Sequence, residues 1–217
     1  VNTASGGYGV QCGDTHDLGY AKPRDVHQEK IACEIARLAG VAVPEIRLGQ
    51  VEGCNGWHAV SIAFGSESID LKRIRETVGI SPALQQALAR GSGILALHAW
   101  FATGDLKEEH ILVASDKEGQ HSVAAIDFAS AFAWGADPGA AVGPTNEPRG
   151  LIENVDKAQV LATVERIAAL TDDEIRAALM AIPEDVLPAA ERERVATGLI
   201  QRRGSIRQAM QDRGWLP

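Results

Sequence analysis

Between Ile94 and Ala102 the chain reads Ile-Leu-Ala-Leu-His-Ala-Trp-Phe-Ala, a predicted helix that is apolar on nearly every side. A helix without a polar face has to be enclosed by other elements, so this segment demands a central position with layers packed around it. The flanking sequence supplies them. Ser81-Pro82 sets an N-cap and a proline at the first helical position, predicting a helix to Arg90. Further helices are predicted over 154–170, over 172–181 behind the Thr171-x-x-Glu174 capping box, and over 189–212. A chain of 217 residues, 45% hydrophobic and 23% charged, is large enough for one domain or two small lobes around a shared cleft.

The first 65 residues follow another pattern. Ser5-Gly6-Gly7-Tyr8-Gly9 is a glycine-rich turn, followed by a short strand at Val10 to Cys12, a turn at Gly13-Asp14 and a strand from Leu18 to Lys22 that Pro23 ends. Asp25, with Gln28 at the capping-box position, predicts a helix to about Ala39 that buries Ile31, Ile35 and Leu38 and stops at Gly40. Val41 to Val51, interrupted by Pro44, reads as an edge strand, and Trp57 to Phe64 returns after the Gly53 to Gly56 hairpin turn. From Ser66 onward helices dominate. The exceptions are two short apolar strands, Ile111 to Ala114 and Val123 to Ile126, and a long Gly/Pro-rich loop over 134–150. The expected fold is α+β in two lobes, a β-rich lobe of residues 1–65 and a mainly helical lobe of residues 66–217.

Charge and cysteine usage narrow the function classes. The formal net charge is −8 and no Lys/Arg block interrupts it, which argues against direct nucleic-acid binding. Cys12, Cys33 and Cys54 show no metal-binding spacing and read as ordinary thiols in a reducing, cytoplasmic setting. No apolar run is long enough to span a bilayer, so no membrane partner is expected.

Chemistry concentrates in four features that occur in an informative order. The glycine turn comes first, then Lys22 on a strand, then Glu29 on a helix, then Asp105 and Asp127 flanking the two short strands. Glycines let backbone N–H groups approach phosphate oxygens. A lysine offsets phosphate charge, and a helix carboxylate steadies that lysine. One aspartate receives the proton of an attacking hydroxyl, and a second binds the metal that bridges the phosphates. Glu34 competes with Glu29, because only one of the two can face Lys22. Asp105 taken alone is an ordinary helix-terminal cap. The scattered histidines His16, His27, His58, His98 and His121 have no ligand spacing, and the helix carrying His98 is expected in the core.

Gly104-Asp105-Leu106-Lys107-Glu108-Glu109-His110-Ile111 resembles the catalytic loop of protein kinases and their relatives, and Ile126-Asp127-Phe128-Ala129 resembles their metal-binding Asp-Phe-Gly segment. Ser5-Gly6-Gly7, Ala21-Lys22-Pro23, Gln28-Glu29, the run Leu38 to Pro44 and Ile182-Pro183-Glu184 together are similar to HipA-like kinases, which themselves resemble phosphatidylinositol kinases in fold. The resemblance implies a two-lobed protein-kinase-like fold that binds ATP with Mg²⁺ or Mn²⁺ beneath the turn of Ser5, Gly6 and Gly7. It implies that Lys22 contacts the phosphates and pairs with Glu29, that Asp105 is the catalytic base, that Lys107 steadies the transferred phosphate and that Asp127 binds metal. The implied activity is transfer of the γ-phosphate to a hydroxyl, a protein Ser or Thr or that of a small molecule or lipid. Two positions depart from the pattern: His110 stands where the family has a metal-binding Asn, and Ala129 where it has Gly. Imidazole is a softer ligand than an amide oxygen, so His110 favours Mn²⁺ and keeps alive the alternative of a nucleotide-binding pseudokinase.

Overall fold

The computed structural model describes residues 8–11, 18–65, 68–132 and 148–217. Strands β1 (Tyr8–Gln11), β2 (Leu18–Lys22), β3 (Ile46–Gln50) and β4 (Trp57–Ile62) form an antiparallel sheet in the order β1-β2-β4-β3. β3 is an edge strand, as Pro44 suggests, but it is shorter than the expected Val41 to Val51. Pro44 has no N–H for a ladder, and pairing starts only at Ile46, opposite Ser61. At the other side of β4, Lys22 pairs with Ala59.

Helix α1 (Val26–Ala39) is buried on two sides. Cys33 packs with Ile46 and Ala59 of the sheet, while Ile31, Ala32, Ile35, Ala36 and Ala39 join the main core. Gly40 ends the helix in the left-handed region at φ 68, where glycine carries no Cβ penalty, and its N–H bonds back to Ala36 and Arg37. The start differs from expectation. Asp25 occupies the cap position, yet its backbone is left-handed at φ 55 and its side chain caps nothing. Asp tolerates this conformation, and there it turns the chain from β2 into α1 with its carbonyl accepting from Glu29 N–H at 3.1 Å.

A second antiparallel sheet, β5 (Ser68–Asp70), β6 (Ile111–Ser115) and β7 (His121–Ala125), runs in the order β5-β6-β7. β5 adds a strand to the two short ones expected after Ser66, and it leads into the short helix α2 (Leu71–Thr77), which Asp70 caps by accepting from Arg73 N–H at 2.8 Å. Helix α3 (Pro82–Arg90) is capped by Ser81, as its sequence requires. Helix α4 (Gly93–Trp100) is buried at every position. Of the expected 134–150 loop, residues 134–147 lie outside the described residues, and its end enters the short helix α5 (Arg149–Ile152).

The helical body is completed by α6 (Lys157–Ala169), α7 (Asp172–Met180) and α8 (Ala189–Asp212), with α4 packed between α6 and α8. The end of α4 would leave unpaired carbonyls in the core. Buried Arg202 of α8 answers that need, donating to Ala99 O at 2.7 Å and Trp100 O at 2.8 Å. Trp100 Nε1–H in turn donates to Leu199 O at 2.9 Å. α1 packs against both α6 and α7, so it belongs to the sheet and the helical body at once. Among the described residues no helix is long and apolar enough to cross a membrane.

Candidate active site

Lys22 ends β2 and Glu29 lies in the first turn of α1; the left-handed Asp25 brings the two together. Lys22 Nζ is 2.9 Å from Glu29 Oε1 and 3.4 Å from Asp127 Oδ1. Burial works against the Lys22 ammonium, but the Glu29 and Asp127 carboxylates outweigh it and hold its pKa above the ordinary lysine value. Burial lifts the Glu29 carboxyl, while Lys22 and the Phe128 N–H draw it down. Glu34, the rival carboxylate, instead pairs with Lys30 and with Arg37 at 3.6 Å.

The Asp105 segment reaches β6 through a single 3₁₀ turn, Glu108–His110. Lys107 Nζ pairs with Asp105 Oδ2 at 2.6 Å, and both side chains are partly exposed. His110 Nδ1 lies 2.9 Å from the Asp105 carbonyl oxygen. A carbonyl only accepts, so Nδ1 donates in this bond, and the other ring nitrogen, Nε2, is turned toward Asp127. That Nε2 is 3.8 Å from Asp127 Oδ2. Ile126 N–H donates to His110 O at 2.9 Å, tying the end of β7 to the same turn. Asp127 follows with φ 63, uncommon for a residue other than glycine. Phe128 stacks on the fully buried His98 with ring centroids 5.1 Å apart, and burial pushes the His98 imidazole down to about 3.

Two adjoining hollows meet at these residues. One, of about 410 Å³, has apolar walls from Val43, Pro44, Ile46, Ala59, Leu112 and Ala125. The other, of about 310 Å³, is polar and lined by Arg24, Asp25, Asp105, Lys107 and Ser130. Lys22, His110 and Asp127 border both. The first hollow is thus mainly apolar and the second carries both carboxylates and cations, with Lys22 at their junction.

The structure thus brings together Lys22, Glu29, Asp127 and His110, with Asp105 and Lys107 beside them. Ser5, Gly6 and Gly7 lie outside the described residues. No cluster of three or more metal-ligating side chains occurs among the described residues. Asp127 and His110 Nε2 form the pair nearest to a cation site. Their chemistry suits a divalent ion that takes its remaining ligands from phosphate and water, as Mg²⁺ and Mn²⁺ do. Glu108 was not expected to matter: it is buried, accepts from Gly150 N–H at 2.9 Å and pairs with Arg75 at 2.8 Å, pinning the Asp105 segment to α2 and α5. The signal was the two-residue alternation into β6, which buries Leu106 and Glu108 and turns Lys107 and Glu109 outward.

No family model and no curated protein sequence matches the chain. Solved structures do. The proinflammatory kinase CtkA of Helicobacter pylori superposes with a TM-score of 0.67 at 16% identity, covering 94% of this chain and 92% of that one. HipA of Shewanella oneidensis, in its complex with HipB and operator DNA, gives 0.57 at 10% identity. That match covers 94% of this chain but 63% of the HipA chain, so the chain spans less than two thirds of that protein. A small antiparallel sheet carrying α1 and a mainly helical body give this chain the two-lobed protein-kinase-like fold.

Proposed function

We propose that the chain is a phosphotransferase that binds ATP between lobes 1–65 and 66–217 and passes its γ-phosphate to a hydroxyl, with a protein serine or threonine as the preferred acceptor. A single observation carries the reading: Lys22 contacts Glu29 at 2.9 Å and Asp127 at 3.4 Å where an apolar hollow meets a polar one. The apolar walls receive the base, and Lys22, pre-positioned by Glu29, meets the phosphates. Asp105 accepts the proton of the attacking hydroxyl, while Lys107 at 2.6 Å orients that carboxylate and steadies the departing phosphoryl group. Asp127 and His110 hold the divalent metal, which offsets phosphate charge when bound. A small-molecule or lipid hydroxyl fits the same chemistry, and a cytoplasmic setting, where ATP is abundant, belongs to the same reading.

The test is thermal unfolding with ATP and Mg²⁺ or Mn²⁺, followed by turnover. At a hundredfold excess over Kd the ligand adds about 2.7 kcal/mol, a rise of roughly 5 to 10 °C for a chain of this size. Lys22→Ala and Asp127→Asn should each remove most of that rise. Asp105→Asn should keep it and lose phosphoryl transfer by at least 100-fold. An unmutated protein that shows no rise sinks the reading.

One observation favours a second reading, a nucleotide-binding pseudokinase: His110 stands at the family's amide ligand position. Its Nδ1–H bond to the Asp105 carbonyl orients Nε2 as metal-bound histidines are oriented. As a working ligand it should make Mn²⁺ outperform Mg²⁺, and His110→Asn should reverse that order, measured by Mn²⁺ binding as well as turnover. ATP binding without turnover in the parent and in His110→Asn alike would establish the pseudokinase instead.

A further inference from the structure

A separate cleft of about 280 Å³ lies where the end of α1, the α3–α4 junction, the start of β7 and α6 converge, and none of Lys22, Asp105 or Asp127 lines it. Its polar lining includes Arg90, Arg166, His121 and Thr163, and no Asp or Glu contributes to it, although the chain carries a formal charge of −8. Arg90 Nη2 donates to His121 O at 3.2 Å, which leaves the rest of its guanidinium open to a ligand. Exposed Arg166 forms no ion pair among the described residues. It lies over Gly40, where a Cβ would come within 1.9 Å of its Nη1, so the glycine leaves room for the guanidinium. Thr163, 8% exposed, also has no side-chain partner among the described residues. Its Oγ1 faces the first turn of α4, where a Cβ on Gly93 would meet it at 2.3 Å.

Close packing of α4 on α6 accounts for Gly93. It does not account for two arginines that line one cleft with no acid among its walls to neutralise them. The α1 C-terminus attracts a nearby cation, but Gly40 and Val41 N–H already occupy the Ala36 and Arg37 carbonyls there. The α4 N-terminus is likewise occupied, with Ile94 and Leu95 N–H donating to the Gly91 and Ser92 carbonyls, so the arginines are what make the cleft attractive to an anion. We propose that this cleft binds a phosphate group, held by the Arg166 guanidinium and the Thr163 hydroxyl with Arg90 as the second cation. Its volume falls just short of the usual range of about 300 to 1,000 Å³ for organic ligands, which suits inorganic phosphate or a small phosphate ester and is too small for a nucleotide. The proposal is independent of the kinase reading.

Calorimetric titration with inorganic phosphate and with O-phosphoserine, in chloride of matched ionic strength, tests it. Binding should be equal in the unmutated protein and in Lys22→Ala, weakened tenfold or more in Arg166→Gln and about threefold in Thr163→Val. Tighter binding of O-phosphoserine would identify an organic phosphate as the ligand, and equal or tighter binding of inorganic phosphate the free ion. Arg166→Gln, a change at an exposed side chain, decides the matter should Thr163→Val fold poorly. Unchanged affinity in Arg166→Gln, or no binding above the chloride control, overturns the proposal. Loss in Lys22→Ala with Arg166→Gln intact also overturns it, placing the anion in the front cleft and leaving the kinase reading untouched.

Discussion

Asp127 and His98 sit on either side of Phe128, and each is held against its own preference. Asp127 adopts φ 63, a conformation that costs a non-glycine residue roughly 1 to 2 kcal/mol, and the Lys22 contact repays part of it. Asn tolerates the same backbone, so Asp127→Asn tests charge with little change of shape. His98 is buried with both ring nitrogens unpartnered among the described residues. Folded, it stays neutral down to about pH 3, whereas unfolded it takes a proton near 6.5. Below pH 6.5 the unfolded state therefore binds the extra proton. Stability from this residue is complete above that pH and falls by about 1.4 kcal/mol per unit as pH drops toward 3. His98→Phe keeps the ring against Phe128 and removes the proton site. Denaturant unfolding at pH 5 should show the variant gaining about 2 kcal/mol relative to its advantage at pH 7. Parallel stability curves for parent and variant would assign the acid sensitivity to other groups.

At the scale of elements, stop and start signals that act locally decide most boundaries. Ser81-Pro82 opens α3, Gly40 closes α1, and Thr171 with Glu174 forms a full capping box at α7, each visible in the sequence because the partners lie within one turn. Thr171→Ala removes that box from an exposed helix end. It should cost about 1 kcal/mol and lower Tm by roughly 2 to 4 °C, while Thr171→Ser should restore most of the loss by retaining the hydroxyl. Elements defined by distant partners were not legible. β5 is three residues long and is a strand only because Ile69 pairs with Val113. Asp25 carries a cap residue type but serves as a left-handed corner between β2 and α1, with no side-chain cap. In the site, the order Lys22, Glu29, Asp105, Asp127 was readable because charged side chains on apolar elements stand out. The walls Val43, Ile46, Ala59 and Leu112 were not, since the apolar lining of a hollow uses the same residue types as any core.

Across the whole molecule, α1 is the piece that both lobes require. Its Cys33 side closes the sheet, and its Ile31–Ile35 side fills the helical core beside α6 and α7. A second tie lies nearer the surface, where Trp57 Nε1–H at the start of β4 donates to Asp185 Oδ2 at 2.6 Å. With one core running through α1, heating should produce a single transition whose calorimetric and van't Hoff enthalpies agree. Two resolved heat-absorption peaks would mean that sheet and helical body melt separately. The shared helix also bears on descent and on engineering. A chain severed between Ile62 and Ser68 yields no portable half, because the front piece keeps a bare Ile31–Ile35 face and the rear piece lacks the wall that covered it. Recombination that exchanged one lobe would have to carry its counterpart with it, so the two halves are a single heritable module.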